Sequence, residues 1–185
     1  MPKRIHTERL VLRPFRFSDA LAVVAYASDP GFARYTTVPH PYEFADAEQF
    51  IARQVLADWR TKPVWSITLD RIPIGSVGLD VVERGYRGEL AFGVAHEHWG
   101  KRLTTEAVRA VIDTAFARMP ALVRLFAICN ARNTASRRVM EKAGMQFEGI
   151  ARSSLVNKKG ELIDVVHCGI TRGDWSAGVS SPANG

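Results

Sequence analysis

The chain has 185 residues, close to the length of one average domain, with 46% hydrophobic and 24% charged residues. This composition is typical of a globular protein and excludes a disordered, collagen-like or disulfide-stabilised chain. Lys and Arg number 25 against 19 Asp and Glu, so the formal net charge is +6. That moderate excess suits an anionic ligand or nucleic acid.

Membrane, secreted and metal-binding classes are also disfavoured. The longest apolar run, residues 20–27, is far shorter than the ~18 residues that a membrane span needs. The residues after Met1 are charged and do not resemble a signal peptide, so we expect no membrane association. Cys129 and Cys168 have no histidine pair at metal-ligand spacing, and no metal is expected. We predict a reduced, cytoplasmic protein.

The first half of the chain predicts one strand, then two helices, then three strands. Leucines at 10 and 12 indicate a strand over 10–14, and Ser18 is a suitable N-cap for a helix that continues to Ala27 and is stopped by Asp29-Pro30-Gly31. Asp46 with Gln49 resembles a capping box that opens a second helix, ending near Arg60. From residue 64 the apolar period becomes two, which predicts three strands of a meander, over 64–69, 73–82 and 89–94.

In the second half, helical and extended patterns alternate. They predict a helix over 104–118, a strand over 123–129, a helix over 134–143 with Gly144 as its C-cap, and strands over 147–156 and 165–171. No linker or repeat interrupts the pattern. We therefore expect one α+β domain over 1–175 with a mixed sheet, followed by a small, polar, flexible tail over 176–185.

The most informative segment is a predicted strand that leads through a short loop into a long helix. Such a turn exposes backbone N–H groups at the positive end of a helix dipole, a geometry that binds phosphate. Lys101 and Arg102 add cations, while Thr104 and Thr105 can cap the helix or donate to an anion. Glu106 would compete with a bound anion, so we expect it to face away. A basic, well-capped surface turn remains the alternative.

Four motifs follow one another along the chain: Thr7-x-Arg9-Leu10-x-Leu12-Arg13, Trp99-Gly100-Lys101 with Thr105-Glu106-Ala107, Asn133-x-x-Ser136, and Glu141-Lys142-x-Gly144. Together they resemble the GNAT superfamily of acyl-CoA-dependent N-acyltransferases, and within it the RimJ/RimL-type branch, which includes ribosomal-protein N-terminal acetyltransferases. The resemblance spans residues 7–175. It implies a central mixed, mostly antiparallel sheet of about seven strands, flanked by about four helices, with splayed central strands.

The resemblance also implies that acetyl-CoA binds in the gap between the splayed strands. Its pyrophosphate would rest on the loop before the long helix, and its pantetheine arm would hydrogen-bond the preceding strand like an added strand. The thioester would lie beside the start of the second helix. The residues implied in this binding are Phe92, Gly93, Val94, Trp99, Gly100, Lys101, Arg102, Leu103, Thr104, Thr105, Asn133, Ser136 and Arg138.

Arg102 departs from the family's loop pattern, which has glycine at this position, and Thr104 replaces a glycine or alanine. Glycine tolerates a positive φ and lets a phosphate approach the backbone, whereas arginine costs about 1 kcal/mol if φ is positive. We hypothesise that the Arg102 guanidinium offsets this strain by pairing with a phosphate of the cofactor.

Transfer from a thioester to an amine needs a neutral amine, a stabilised oxyanion and a protonated or stabilised leaving thiolate. The resemblance implies Glu89 as the base and Ser136 as the acid. Two alternatives stay open: Glu89 is an edge carboxylate paired with Arg87 or Arg84, and Ser136 is a helix-start serine that bonds locally. Cys168 stands where many relatives carry a strand tyrosine, and a thiol is a poor donor for that role.

A peptide α-amine, with a pKa of ~7.7–8.0, is more often neutral at working pH than a lysine at ~10.4. We therefore expect transfer to a peptide or protein N-terminal α-amine by direct attack in a ternary complex. The resemblance places Tyr35, His40 and Tyr42 in the acceptor region, and His96 and His98 can line the amine entrance.

Alternative functions are a small-molecule amine acetyltransferase, for an antibiotic or polyamine, and an acyl-CoA-binding module with weak or no catalysis. The chain has no helix dense in Lys and Arg and no interleaving of aromatic and basic residues, so direct nucleic-acid binding is not expected. Either a monomer or a homodimer is compatible with the sequence.

Overall fold

An open, eight-stranded sheet organises residues 1–180, the part of the chain that the computed structural model describes. Its strands are β1 (Ile5–His6), β2 (Val11–Pro14), β3 (Val64–Leu69), β4 (Ile72–Val82), β5 (Arg87–Val94), β6 (Arg124–Asn130), β7 (Gln146–Val156) and β8 (Leu162–Thr171). Their spatial order is β1-β2-β3-β4-β5-β6-β8-β7, and of these pairs β5 with β6 is parallel. The predicted mixed, mostly antiparallel sheet is confirmed. The added strand is β1, whose two residues are too few to show a period.

Six α-helices accompany the sheet in residues 1–180: α1 (Ala20–Ala27), α2 (Pro30–Ala33), α3 (Phe44–Leu56), α4 (Leu103–Arg118), α5 (Thr134–Lys142) and α6 (Arg172–Ser180). The sequence predicted four of them. It took Asp29-Pro30 as a stop signal, but the Asp29 carboxylate accepts from the Phe32 amide at 3.0 Å and starts α2. None of these helices combines the length and apolarity that crossing a bilayer requires.

Helix α3 begins earlier than the predicted N-cap at Asp46. Its N-cap is Glu43, and Asp46 stands three positions inside, where its carboxylate accepts from the Glu43 amide at 2.8 Å. Asp46 is therefore the reciprocal partner in a capping box rather than the cap. The helix also ends at Leu56, well before Arg60, and the Trp59 ring packs edge-on against Trp65 outside it.

Each face of the sheet is covered by a different set of helices. The apolar stripe predicted for α4 is buried as expected, at 0–1% exposure, and it packs with α5 and α6 against one face: Ala107, Val108, Val111, Ile112, Ala115 and Phe116. Residues of α1 and α3 form a smaller second core with Phe15 and Ala95. The strand that precedes α4 contributes Leu90 and Val94 to the larger core, on the side of α4.

The two central strands diverge, as the resemblance implied. β5 and β6 pair in parallel only where Arg87–Glu89 meets Arg124–Phe126. Beyond that point β5 remains paired with β4 as far as Val94, whereas β6 remains paired with β8 as far as Asn130. A gap therefore opens between the C-terminal ends of β5 and β6, at the edge from which α4 and α5 begin.

Helix α6 covers the first five residues of the predicted tail. The Trp175 indole donates to the Asp113 carboxylate at 2.8 Å, and the Arg172 guanidinium donates to the carbonyls of Phe116, Met119 and Leu122. These contacts fix the start of α6 on the end of α4. The other residues of the predicted tail, 181–185, lie outside the described residues, and the domain boundary at 175 stays a prediction.

Candidate active site

A cavity of about 310 Å³ occupies the gap between β5 and the starts of α4 and α5. Eleven of the thirteen residues predicted to bind the cofactor line it: Phe92, Gly93, Val94, Trp99, Gly100, Arg102, Thr104, Thr105, Asn133, Ser136 and Arg138. Lys101 and Leu103 are the exceptions. Leu103 is 3% exposed and packs into the core, and the Lys101 carbonyl accepts from Arg9.

The loop between β5 and α4 is held in a conformation that glycine favours. Gly100 has φ 76°, and Arg102, the N-cap of α4, has φ 62° and ψ 7° in the left-handed region. The condition for backbone strain at Arg102 is therefore met. The Trp99 indole donates to the Val94 carbonyl at 3.0 Å, which ties the loop back to β5.

The start of α4 presents free backbone donors to the cavity. The first three helical residues, Leu103, Thr104 and Thr105, have no preceding turn to accept from their amides. Among residues 1–180 no group accepts a hydrogen bond from these amides, and Arg102 makes no side-chain cap. Together with the helix dipole, these free amides make the start of α4 suited to an anion.

Glu106 faces away from this site, as predicted. Its carboxylate accepts from the Thr7 hydroxyl at 2.5 Å, from the Arg9 amide at 2.9 Å and from the Arg9 guanidinium at 2.7 Å. Partial burial disfavours its charge, but the hydrogen bonds from Thr7 and Arg9 outweigh that effect and lower the pKa of Glu106. The negative charge in the first turn of α4 is thus balanced by Arg9.

The start of α5 forms the opposite wall. The Asn133 side chain accepts from the Ser136 amide at 3.1 Å and caps the helix, and both residues line the cavity. Arg138 and Lys142 lie on the cavity side of the helix. Arg137 does not line the cavity: it pairs with Glu141 at 2.8 Å. The positive charge on this wall therefore comes from Arg138 and Lys142, and Arg102 adds a cation at the start of α4.

Backbone alternation decides which atoms of β5 face the gap. The Ala95 amide donates to the Ile74 carbonyl on the β4 side. Because backbone groups alternate in direction along a strand, the amide and carbonyl of Gly93 also point toward β4. Those of Phe92 and Val94 point away from β4, into the gap. The Val94 carbonyl is already used by Trp99. An extended ligand in the gap would find the Phe92 backbone and the Val94 amide.

Glu89 lies at the last parallel pair, opposite Phe126, where the two central strands separate. It lines neither this cavity nor the larger one described below. Arg87 pairs with Glu83 at 2.8 Å, and within residues 1–180 Glu89 forms no ion pair with Arg87 or Arg84. The structure therefore does not show the alternative in which Glu89 pairs with Arg87 or Arg84. The role of Glu89 as the base stays a prediction.

The two cysteines are poor candidates for chemistry. Burial raises the pKa of the Cys129 thiol to about 11, with a further contribution from Cys168, and a hydrogen bond from the Ser136 side chain opposes the rise only in part. Cys168 is 0% exposed and does not line the cavity, and burial raises its pKa as well. Both thiols stay protonated at neutral pH.

A second, larger cavity of about 660 Å³ adjoins the first and shares Tyr35 and Thr36 with it. It is bounded by the segment after α2, the end of β6 and the β7–β8 hairpin. Two residues expected in the acceptor region, His40 and Tyr42, line neither of these cavities, and Tyr42 packs on the second core. His98 lines the first cavity, whereas His96 does not.

Segment 31–36 supplies a wall that the sequence did not predict in full. Gly31, Phe32, Tyr35 and Thr36 line the first cavity, and the Phe32 ring would lie 3.2 Å from a Cβ placed on Gly93. Because Gly93 has no side chain, the Phe32 ring can pack against β5. Only the aromatic residues after Asp29-Pro30 hinted at this wall, because the segment carries no apolar period.

An open sheet with two splayed central strands and a long helix that begins at the gap between them, with free amides at its start, is the architecture of a GNAT acyltransferase. A family model described as the acetyltransferase (GNAT) domain matches residues 9–146. N-acetyltransferase p20 of Bacillus licheniformis is 30% identical over 167 residues, which cover 87% of this chain and 92% of that protein. The chain belongs to the GNAT acetyltransferases and is an N-acetyltransferase.

Solved structures agree with this assignment. A GNAT-family acetyltransferase from Bacillus anthracis has a TM-score of 0.83 at 27% identity, covering 92% of this chain and 99% of that one. RimL, described as a ribosomal L7/L12 α-N-protein acetyltransferase in complex with coenzyme A, shares the fold with a TM-score of 0.80 at 16% identity, covering 91% and 97%. The predicted resemblance to GNAT proteins, with RimL among the structural neighbours, is confirmed.

Proposed function

We propose that this N-acetyltransferase transfers the acetyl group of acetyl-CoA to the N-terminal α-amine of a peptide or protein, by direct attack in a ternary complex. The observation that carries the proposal is the junction of two cavities at Tyr35 and Thr36. One cavity offers free helix-start amides to a polyanion, and the other opens from the same wall. A cofactor and an acceptor can therefore be bound side by side.

The first cavity suits coenzyme A in its charge and its hydrogen bonds. The diphosphate would accept from the amides of Leu103, Thr104 and Thr105, and the Arg102 guanidinium would pair with one phosphate. The pantetheine arm would lie along the gap-facing backbone of Phe92 and Val94. Arg138 and Lys142 add positive charge around the remaining anionic groups.

Ser136 and Glu89 take the acid and base roles in this proposal. The Ser136 hydroxyl is at the cavity lining and stands in the first turn of α5, where the helix dipole also favours the departing thiolate. Glu89 lies where the gap between β5 and β6 begins, and would take the amine proton directly or through a water. The amine is most easily used when it is an α-amine, because a larger fraction of it is neutral.

The test is steady-state turnover of acetyl-CoA, followed by release of the free thiol. The acceptors are a peptide with a free N-terminus, the same peptide with a blocked N-terminus and a lysine side chain, and a polyamine. We expect the free N-terminus to be acetylated fastest, with the product confirmed by mass spectrometry. Faster transfer to lysine or to the polyamine would contradict the α-amine assignment, and no turnover with any amine would indicate an acyl-CoA-binding module.

A further inference from the structure

We infer that the second cavity selects acceptors that carry a negative charge close to the amine. The inference rests on the function proposed above and names the chemical class of its acceptor. A carboxylate or phosphate on the acceptor is the shared chemistry. A cavity of about 660 Å³ has the size of ordinary ligand sites and is large enough for a short peptide end or a small amine.

Charge is distributed unevenly around this cavity. Four cationic residues line it, together with two carboxylates: Arg34, Arg132, Lys158, Lys159, Glu161 and Asp164. Among residues 1–180, none of the four cations lies within 4.0 Å of a carboxylate oxygen. The cavity therefore has positive charge that the protein does not neutralise by pairing.

Both carboxylates are engaged in holding the hairpin. Glu161 accepts from the Asn157 side-chain amide at 2.8 Å, and Asp164 accepts from the Ser153 backbone amide at 2.9 Å. These bonds fix the carboxylates on the strands and turn that carry them. They are consequently structural groups of the β7–β8 hairpin rather than partners for the arginines across the cavity.

Lys158 has a structural role of its own. Its ammonium group donates to the Ala33 carbonyl at 2.8 Å and to the Val38 carbonyl at 3.0 Å, and so joins the hairpin turn to the segment after α2. This clasp holds Arg34 at the cavity. The Arg34 guanidinium lies over the Tyr35 ring, and Tyr35 also lines the first cavity.

Arg34, Arg132 and Lys159 remain as unpaired cations at this cavity, and the two guanidinium groups are the ones best suited to recognise an anion. Arg132 lies two residues after the end of β6 and precedes Asn133, which caps α5 beside the proposed thioester position. Guanidinium groups bind carboxylates and phosphates through two parallel N–H donors, and they do so most strongly when no internal partner competes. An acceptor amine presented toward the first cavity would leave its anionic group within the second, near these arginines.

The test compares pairs of acceptors in which one member carries an anionic group and the other a neutral one. The peptide pair is Ser-Asp-Asp-Ala-amide and Ser-Asn-Asn-Ala-amide, each with a free N-terminus, and the small-amine pair is O-phosphoethanolamine and ethanolamine. Full-length protein is assayed at saturating acetyl-CoA. We expect kcat/KM to favour the anionic member by about tenfold and the preference to decline with added salt.

The double variant Arg34→Gln/Arg132→Gln should reduce this preference to near unity. Arg4→Gln/Arg71→Gln, which removes the same net charge at exposed positions outside the cavity, should retain it. Equal rates for both members, or an unchanged preference in the Arg34/Arg132 variant, would overturn the inference while leaving the acetyltransferase intact.

Peptide binding is measured separately by fluorescence anisotropy with end-labelled peptides. Charge-dependent binding without α-amine transfer would support anion recognition by the second cavity and refute the proposed function. A preference confined to the small-amine pair would also support anion recognition and refute transfer to a peptide or protein N-terminus. It would identify a small anionic amine as the acceptor. Binding that is insensitive to charge would refute the inference, whatever the rate of transfer.

Discussion

Arg9 and Glu106, 97 residues apart in sequence, are joined at the start of α4 by contacts of 2.7 Å from Nε and 2.6 Å from Nη2 to the same carboxylate oxygen. The Arg9 guanidinium also donates to the Lys101 carbonyl at 3.1 Å. One side chain thus neutralises the carboxylate in the first turn and anchors the loop before it. An anion-binding helix start can therefore contain a glutamate without repelling its ligand.

The Glu106→Gln variant is expected to be less stable than the wild type at neutral pH, by about 1 kcal/mol, because it loses charged hydrogen bonds. The folded-state pKa of Glu106 is lowered, so its contribution is present above the unfolded pKa and is lost as pH falls through the folded value. The difference between the melting temperatures of the two proteins should shrink as the pH is lowered from neutral to ~3. A gap that stays constant over this range would contradict the prediction.

We expect Arg102 to destabilise the free protein through backbone strain and to strengthen the binding of acetyl-CoA. Replacing it by glycine should stabilise the free protein by about 1 kcal/mol, since its φ is positive, and weaken acetyl-CoA binding by about tenfold. Arg102→Ala is the matched control, because it loses the guanidinium but keeps the strain. Calorimetric affinities for acetyl-CoA that are unchanged or tighter in Arg102→Gly would remove the proposed compensation.

Glu89→Gln should slow acetyl transfer most at low pH, where fewer amines are neutral and a base matters more, and should leave acetyl-CoA affinity nearly intact. The measurement is the pH profile of kcat/KM for a peptide acceptor. Glu48→Gln, at an exposed position of α3, is the control for loss of a carboxylate. The same fractional loss at every pH would show that Glu89 is not the base.

Ser136→Ala should lower kcat by about a hundredfold, because the leaving thiolate loses its proton donor, while KM for acetyl-CoA changes little. Ser154→Ala, on the exposed part of β7, provides the comparison. If only KM changed, Ser136 would be a binding residue, and the acid role would pass to another group.

The Cys129 thiol should resist alkylation in the folded protein. With a pKa of about 11, only about one thiol in a thousand is ionised at pH ~8. Iodoacetamide labelling followed by mass spectrometry should show slow modification, and the guanidinium-unfolded protein should react rapidly. Fast labelling of folded Cys129 would indicate a thiolate that the buried environment does not explain.

Elements with a long apolar period were predictable from the sequence. The buried stripe of α4 and the alternation along β4 and β5 specify their partners, and the motif residues from Trp99 to Ser136 converge on one cavity as the resemblance implied. These features depend on local spacing, which a sequence displays directly.

Other features depend on contacts between distant residues or on ambiguous signals. Asp29-Pro30 serves equally as the end of one helix and the start of the next, and the Glu43 cap is hidden because glutamate rarely caps a helix. The pairing of Arg9 with Glu106 and the Lys158 clasp join segments about a hundred residues apart, so no local pattern reveals them.

The most direct test is a crystal structure of the protein with acetyl-CoA. We expect diphosphate oxygens at about 2.9 Å from the amides of Leu103, Thr104 and Thr105, with the acetyl group beside Ser136. A diphosphate bound elsewhere, with these three amides satisfied by protein groups, would contradict it.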